Sequence, residues 1–288
     1  SEFKGAENQA PKALEAIRNP KCGWYFIARP DDFKKIPGSP IAYWISSELR
    51  EIFKCGTPLR EIAIPKQGHA TADNDKFLKK WFEVSYRKID FSCLSAEQAS
   101  HSRCKWFPYN KGGTFRKWYG NNEWVINWEN DGKELRGFTR AALRNLDYHF
   151  KWGITWTATS SSYFGVRLSE DGFAFDVKGS TCFPSENAKY VVLGYLCSNL
   201  IAKIMTVLNP TIENQSGNVA NLPFHDQRIA VIKPKVDDIV KKAVELAEKD
   251  WNNYEISWKF FGHPCIAHTA SEGVECSYNN WLAKCQKD

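Results

Sequence analysis

The chain lacks the signatures that common nucleotide-handling and hydrolytic enzymes need. NKGGTFRK at 110–117 is glycine-rich and basic, but it has no Gly-Lys-Ser or Gly-Lys-Thr, which excludes a Walker phosphate loop. No Gly-x-Gly-x-x-Gly follows a strand-like run, and there is no Gly-x-Ser-x-Gly elbow. An enzyme that modifies the exocyclic amine of a flipped base holds that amine with Asn or Asp, followed by Pro-Pro and a stacking aromatic. The chain offers only Asn19-Pro20-Lys21-Cys22 and Asn209-Pro210-Thr211-Ile212. No apolar run reaches the eighteen or so residues that span a bilayer, so no membrane partner is expected. There are nine cysteines but no Cys-x-x-Cys pair, and the odd number points to reduced thiols in a cytoplasmic protein.

One further absence is local. CKWFPYNKGGTFRKWYG, Cys104 to Gly120, contains no acid, yet it holds Lys105, Lys111, Arg116, Lys117 and six aromatic residues. The whole chain carries a formal charge of +6, a modest excess that favours a polyanionic partner. Its 288 residues suffice for one large domain or two small ones with a real core. Twelve Trp residues are more than a core needs, which implies flat aromatic surfaces as well. The opening Ser-Glu-Phe resembles a cloning remnant, so the chain reads as a fragment.

The periodicity predicts an α+β chain. A short amphipathic helix is expected near Pro11–Arg18 and a buried strand at 24–27, followed by a turn-rich segment at 31–44. Ser46 or Ser47 should cap a helix carrying Leu49, Ile52 and Phe53, closed by Gly56. A short strand ends at Pro65, and Asp73 or Asn74 caps a helix with Phe77, Leu78 and Trp81. Strand-like runs follow around Trp106 and at 123–128, 154–159, 162–168 and 172–177, with Asp171-Gly172 as a hairpin signal between the last two. Tyr190–Leu208 reads as one buried helix, and a second long helix begins after Pro234. The domain reading is a lead-in at 1–20, a strand-rich domain at 21–225 and a helical C-terminal segment at 226–288.

Two surfaces suit an anion. Lys111, Arg116 and Lys117 form a basic tip that can reach phosphates, with Gly112 and Gly113 allowing close approach. The competing reading of this stretch is a buried strand, a turn and a second strand. The second surface is the loop KQGHATADND at 66–75, which lacks large apolar residues. Lys66 and Lys76 flank Gln67, Thr71 and Asn74, whose side chains can read base edges. Its alternative is a solvated connection with a helix cap.

Two decoys complete the inventory. Asp176-Val177-Lys178, with Asp171 near, resembles half of a metal-dependent nuclease site. His263, Cys265, His268 and Cys276 could ligate zinc, but their spacing is irregular, and free cysteines beside surface histidines are the competing reading. No metal and no catalytic residue are assigned.

Several stretches together resemble one family. They are DDFKKIPGSPIAYWIS (31–46), GHATADNDKFL (68–78), WFPYNKGGTFRKWYGN (106–121), VINWENDG (125–132), YFGVRLSEDGFAFDVKGS (163–180), LGYLCSNLIAKIMTVLNPT (193–211), NVANLPF (218–224) and DWNNYEISW (250–258). The chain resembles, over nearly its whole length, the PglX family of adenine-specific DNA methyltransferases of BREX phage defence. The resemblance implies a C-terminal target recognition domain, similar to those of fused restriction-modification enzymes and Type I specificity subunits. On that reading the methyltransferase domain, its S-adenosylmethionine site and its Asn-Pro-Pro-Tyr motif lie upstream, and this chain binds no cofactor. The implied partners are double-stranded DNA, that upstream domain and other BREX subunits. The alternative function is an interaction module for those proteins. The family loop runs nearer to Gly-Leu-Gln-Thr-Gly-Asp-Asn-Asp, so this chain departs from it at His69, Ala70 and Ala72.

Overall fold

The structure is a computed structural model that describes residues 5–34, 36–43, 45–161, 163–209, 211–267 and 273–287. The opening Ser-Glu-Phe and His268 lie outside the described residues. The chain divides into two compact units, Ser1–Gly56 and Thr57–Asp288.

In the first unit, helix α1 (Ala6–Arg18) begins earlier than its sequence signal and carries Pro11 inside it. Trp24 Nε1 donates to the Lys12 carbonyl at 3.1 Å, and the Lys12 ammonium sits over the same indole. The buried strand expected at 24–27 does not form. Tyr25, Phe26 and Ile27 are exposed, because an apolar run without a ladder partner has nothing to make it a strand. Helix α2 (Ser47–Cys55) forms as the capping signals predict. Ser46 Oγ accepts from the Leu49 amide at 3.3 Å, Gly56 follows the last turn, and Phe53 is buried.

The second unit holds strands β1 (Ala63–Lys66), β2 (Leu78–Lys80), β3 (Trp106–Asn110), β4 (Trp124–Asn127), β5 (Gly153–Trp156), β6 (Val166–Ser169), β7 (Ala174–Phe175) and β8 (Thr181–Pro184). One four-stranded sheet runs β1-β8-β5-β6, all antiparallel. The other runs β2-β4-β3-β7, and its β3–β7 pair is parallel. Every residue of β3 is buried, which explains its continuous rather than alternating apolar run. Phe77, Phe107, Tyr109, Trp128, Leu135 and Phe150 are central to the core on this second sheet.

The Asp171-Gly172 hairpin is overturned. β6 and β7 flank that turn but belong to different sheets, and β7 pairs instead with Tyr109 and Asn110. Backbone bonds from Gly172 to the Phe150 carbonyl and from Phe150 to the Phe173 carbonyl hold the turn. Turn chemistry is local, whereas these partners are remote.

The helix expected over Tyr190–Leu208 is two helices, α3 (Lys189–Leu196) and α4 (Asn199–Leu208), bent by 74°. Ser198 breaks the run by accepting from the Ile201 amide, an N-cap inside an apolar stretch. Helix α5 (Asp226–Trp251) starts well before Pro234 and contains it. Val240 and Val244 are buried, whereas Ile239 is exposed. α5 packs on α3, and a last helix, α6 (Val274–Lys287), ends the described chain. The architecture is α+β with a helical C-terminal segment. Among the described residues, no single helix is long and apolar enough to cross a membrane.

Candidate nucleic-acid interface

The polar loop at 66–75 is not a solvated connection. His69 and Thr71 are buried at 0% and 1% exposure in the middle of it. Its backbone bridges to Asp176 on one side, through His69 N to the Phe175 carbonyl and Val177 N to the His69 carbonyl. On the other side Ala70 and Ala142 exchange both backbone bonds. The middle of a segment without large apolar side chains is thus buried where the backbone groups of His69 and Ala70 find partners, as burial demands.

Two buried histidines anchor this region. The His69 ring stacks on Trp128 at 5.4 Å and meets His149 edge-on at 4.2 Å, with Phe150 and Phe175 packed around His149. His69 Nδ1 accepts from the Arg144 amide at 3.1 Å, which fixes its proton on Nε2. Burial, reinforced by the charges of Arg136 and Arg144, pushes His69 down to about 3. His149 is held well below its ordinary value by burial, then by His69 and Arg136.

The expected DNA-contacting residues divide into two groups. Gln67 and Asn74 stay near the surface. The Gln67 carbonyl accepts from Asn145 Nδ2 at 2.8 Å, and Asn74 Oδ1 accepts from both the Thr71 hydroxyl and Lys111 Nζ. Asp73 caps the short helix Asn74–Phe77. Lys76 pairs with Glu134 at 3.0 Å and shares the Phe138 ring with Arg140. Lys66 sits over Tyr148 at 5.0 Å.

The basic tip is engaged inside the protein. Lys111 Nζ lies 2.6 Å from the Asp176 carboxylate. Arg116 pairs with Asp250 at 2.9 Å and stacks on Trp251 and Tyr254. Lys117 Nζ donates to the Cys197 carbonyl at 2.7 Å. The close approach at Gly112 is to the protein itself: a Cβ there would meet the Lys178 carbonyl at 2.9 Å. Of the six aromatics, Trp106, Phe107, Tyr109 and Tyr119 are buried and Phe115 is 43% exposed.

The nuclease half-site is not assembled. Tyr109, Lys111 and the Lys178 amide all donate to Asp176, and Lys178 Nζ turns to Glu213. Among the described residues, no three His, Cys, Asp or Glu side chains lie together as a metal site, and the zinc reading of His263, Cys265 and Cys276 gains no support. All nine cysteines are free thiols.

Sequence reasoning missed the segment that the loop lies against. Residues 138–152, FTRAALRNLDYHFKW, carry Arg140, Arg144 and Lys151 against the single acid Asp147. Their contacts place them beside Gln67, His69 and Ala70. Lys151 shares the Tyr148 ring with Lys66, at 5.7 Å. Nearby acids are already engaged, Asp131 by Arg136 and Glu134 by Lys76. Among the described residues, no carboxylate pairs with Lys66, Arg140, Arg144 or Lys151. The signal was present as a three-to-one charge ratio, but only tertiary contact joins it to residue 66.

No family model matches the chain. It is 34% identical over 293 residues to the adenine-specific methyltransferase PglX of Lacticaseibacillus casei (strain Zhang), an alignment that covers 97% of this chain. It is 38% identical over 259 residues, 88% of this chain, to the adenine-specific methyltransferase BrxX of Escherichia coli O9:H4 (strain HS). The chain is a homologue of part of these PglX-type methyltransferases. It spans 24% and 20% of the lengths of those two relatives. The His69, Ala70 and Ala72 departures now have a physical setting. His69 fills a slot between Trp128 and His149, Ala70 pairs with Ala142, and Ala72 takes a left-handed backbone at φ 58°.

Proposed function

We propose that this chain is the DNA target-recognition part of a PglX-family adenine methyltransferase and is non-catalytic by itself. One observation carries the reading: Lys66, Arg144 and Lys151 gather without carboxylate partners beside the half-buried amides of Gln67 and Asn145. Cations that the protein does not neutralise are the groups that gain most from phosphates, because binding releases condensed counterions. Amide side chains set among them can read base edges once the phosphates fix the register. The parent enzyme would supply the S-adenosylmethionine site and the base pocket from its remaining length, within a BREX defence system.

The test is duplex binding followed by anisotropy as salt is raised. Affinity should fall steeply with salt, by roughly 0.9 log units per log unit of salt for each phosphate contact. The triple variant Lys66→Ala, Arg144→Ala, Lys151→Ala should flatten that slope by roughly two to three. A slope unchanged in the triple variant, or no binding at low salt, overturns the reading.

A further inference from the structure

Helix α5 carries a second face that the packed one does not explain. Val240 and Val244 bury one side, and Gly194 of α3 approaches so closely that a Cβ there would sit 2.7 Å from Val240. Rotated about a third of a turn away lie Ile232, Ile239 and Leu246, which are 52%, 56% and 39% exposed. They are spaced seven apart, with the half-buried Val236, which also packs against Gly194 of α3, and Ala243 between them. The run 232, 236, 239, 243, 246 alternates steps of four and three, the d-a-d-a-d pattern of a coiled-coil seam. It extends about 21 Å at 1.5 Å per residue.

The charges beside the seam select its occupant. Every g position along it is a lysine: Lys235, Lys242 and Lys249, all exposed. Of the e positions, Val240 packs on Gly194 of α3, Ala247 is half-buried and Lys233 is held by Asp237. In an antiparallel pair g faces g, and in a parallel pair g faces e. A second copy of this chain would therefore set lysine against lysine, or need e positions that are already partly engaged. A helix with Asp or Glu at the facing positions meets neither obstacle.

We infer that the α5 seam is the docking site for an amphipathic helix, acidic along one flank, supplied by the part of the parent protein outside these 288 residues. The chain's share of its relatives, a quarter or less, leaves ample length for such a helix. The inference stands independently of the DNA reading, since none of the residues proposed to contact DNA lies on α5.

The test places Ile239→Cys in the 288-residue chain and in the full-length protein. Maleimide labelling at that position is followed by peptide mass, with the oligomeric state measured alongside. Labelling should be fast in the 288-residue chain and at least tenfold slower in the full-length protein. Adding Lys235→Glu, Lys242→Glu and Lys249→Glu should restore the fast rate. Equal rates in the two proteins overturn the proposal. So does slow labelling that the lysine reversals leave unchanged, or protection of the 288-residue chain at twice its monomer mass, which would identify a second copy.

Discussion

Lys111 Nζ lies 2.6 Å from Asp176, a carboxylate only 1% exposed. The Tyr109 hydroxyl and the Lys178 amide donate to the same group, so the lysine is the cation of a buried polar network joining β3 to the turn after β7. Removing one partner of a buried pair costs more than the pair contributes, because the other charge stays behind. Lys111→Ala should therefore destabilise by about 2–4 kcal/mol, read from the urea midpoint. Asp176→Asn should cost less. A Lys111→Ala midpoint equal to wild type would mean that the network is not formed.

The His69–His149 pair makes stability acid-sensitive. Burial depresses both folded-state values, so the unfolded chain takes up protons that the folded chain refuses. The contribution is full above the ordinary histidine value near 6.5 and shrinks as pH falls from there toward 3. Between pH 7.5 and 5.5 the two histidines together should remove roughly 2–3 kcal/mol. His149→Phe should halve that loss. A pH-independent denaturation midpoint across this range would refute the assignment.

Arg167 lies in β6, fully buried, with no partner for Nε or Nη1, and burial pushes it down to about 10. An ion this enclosed and this poorly bonded is a net cost. Arg167→Met should raise the melting temperature, by about 1–3 kcal/mol of stability. A fall in melting temperature would show that the guanidinium holds something in place.

The 288-residue chain should transfer no methyl group from S-adenosylmethionine to DNA. It has no Asn-Pro-Pro-aromatic run to hold a flipped adenine. Incorporation of labelled methyl into any duplex would refute this directly.

Local signals were legible wherever the partner is near in sequence. Ser46, Gly56 and Asp73 acted as the caps their positions suggest, and the apolar runs at 106–110 and 124–127 became strands. Failures came where a remote partner decides. Tyr25 to Ile27 found no ladder, β7 left its apparent hairpin for Tyr109 and Asn110, and Ser198 outweighed an unbroken apolar run. At the candidate interface Lys66 and Gln67 were visible in the sequence. Arg144 and Lys151 were not, because bonds across more than seventy positions bring 144–145 beside 67–69. The internal partners of the basic tip were hidden for the same reason: Asp176, Asp250 and the Cys197 carbonyl, which engage its charges, are all distant in the chain.

On the proposed DNA-reading role, the burial of His69 and Thr71 between the more exposed Gln67 and Asn74 bears on how specificity would be re-engineered. A loop whose middle is core cannot be exchanged as a cassette, because a transplanted loop would bring a side chain that the Trp128–His149 slot does not fit. Retargeting should proceed one side chain at a time, at Gln67, Asn74 and Asn145, with the histidine pair left as the fixed frame behind them.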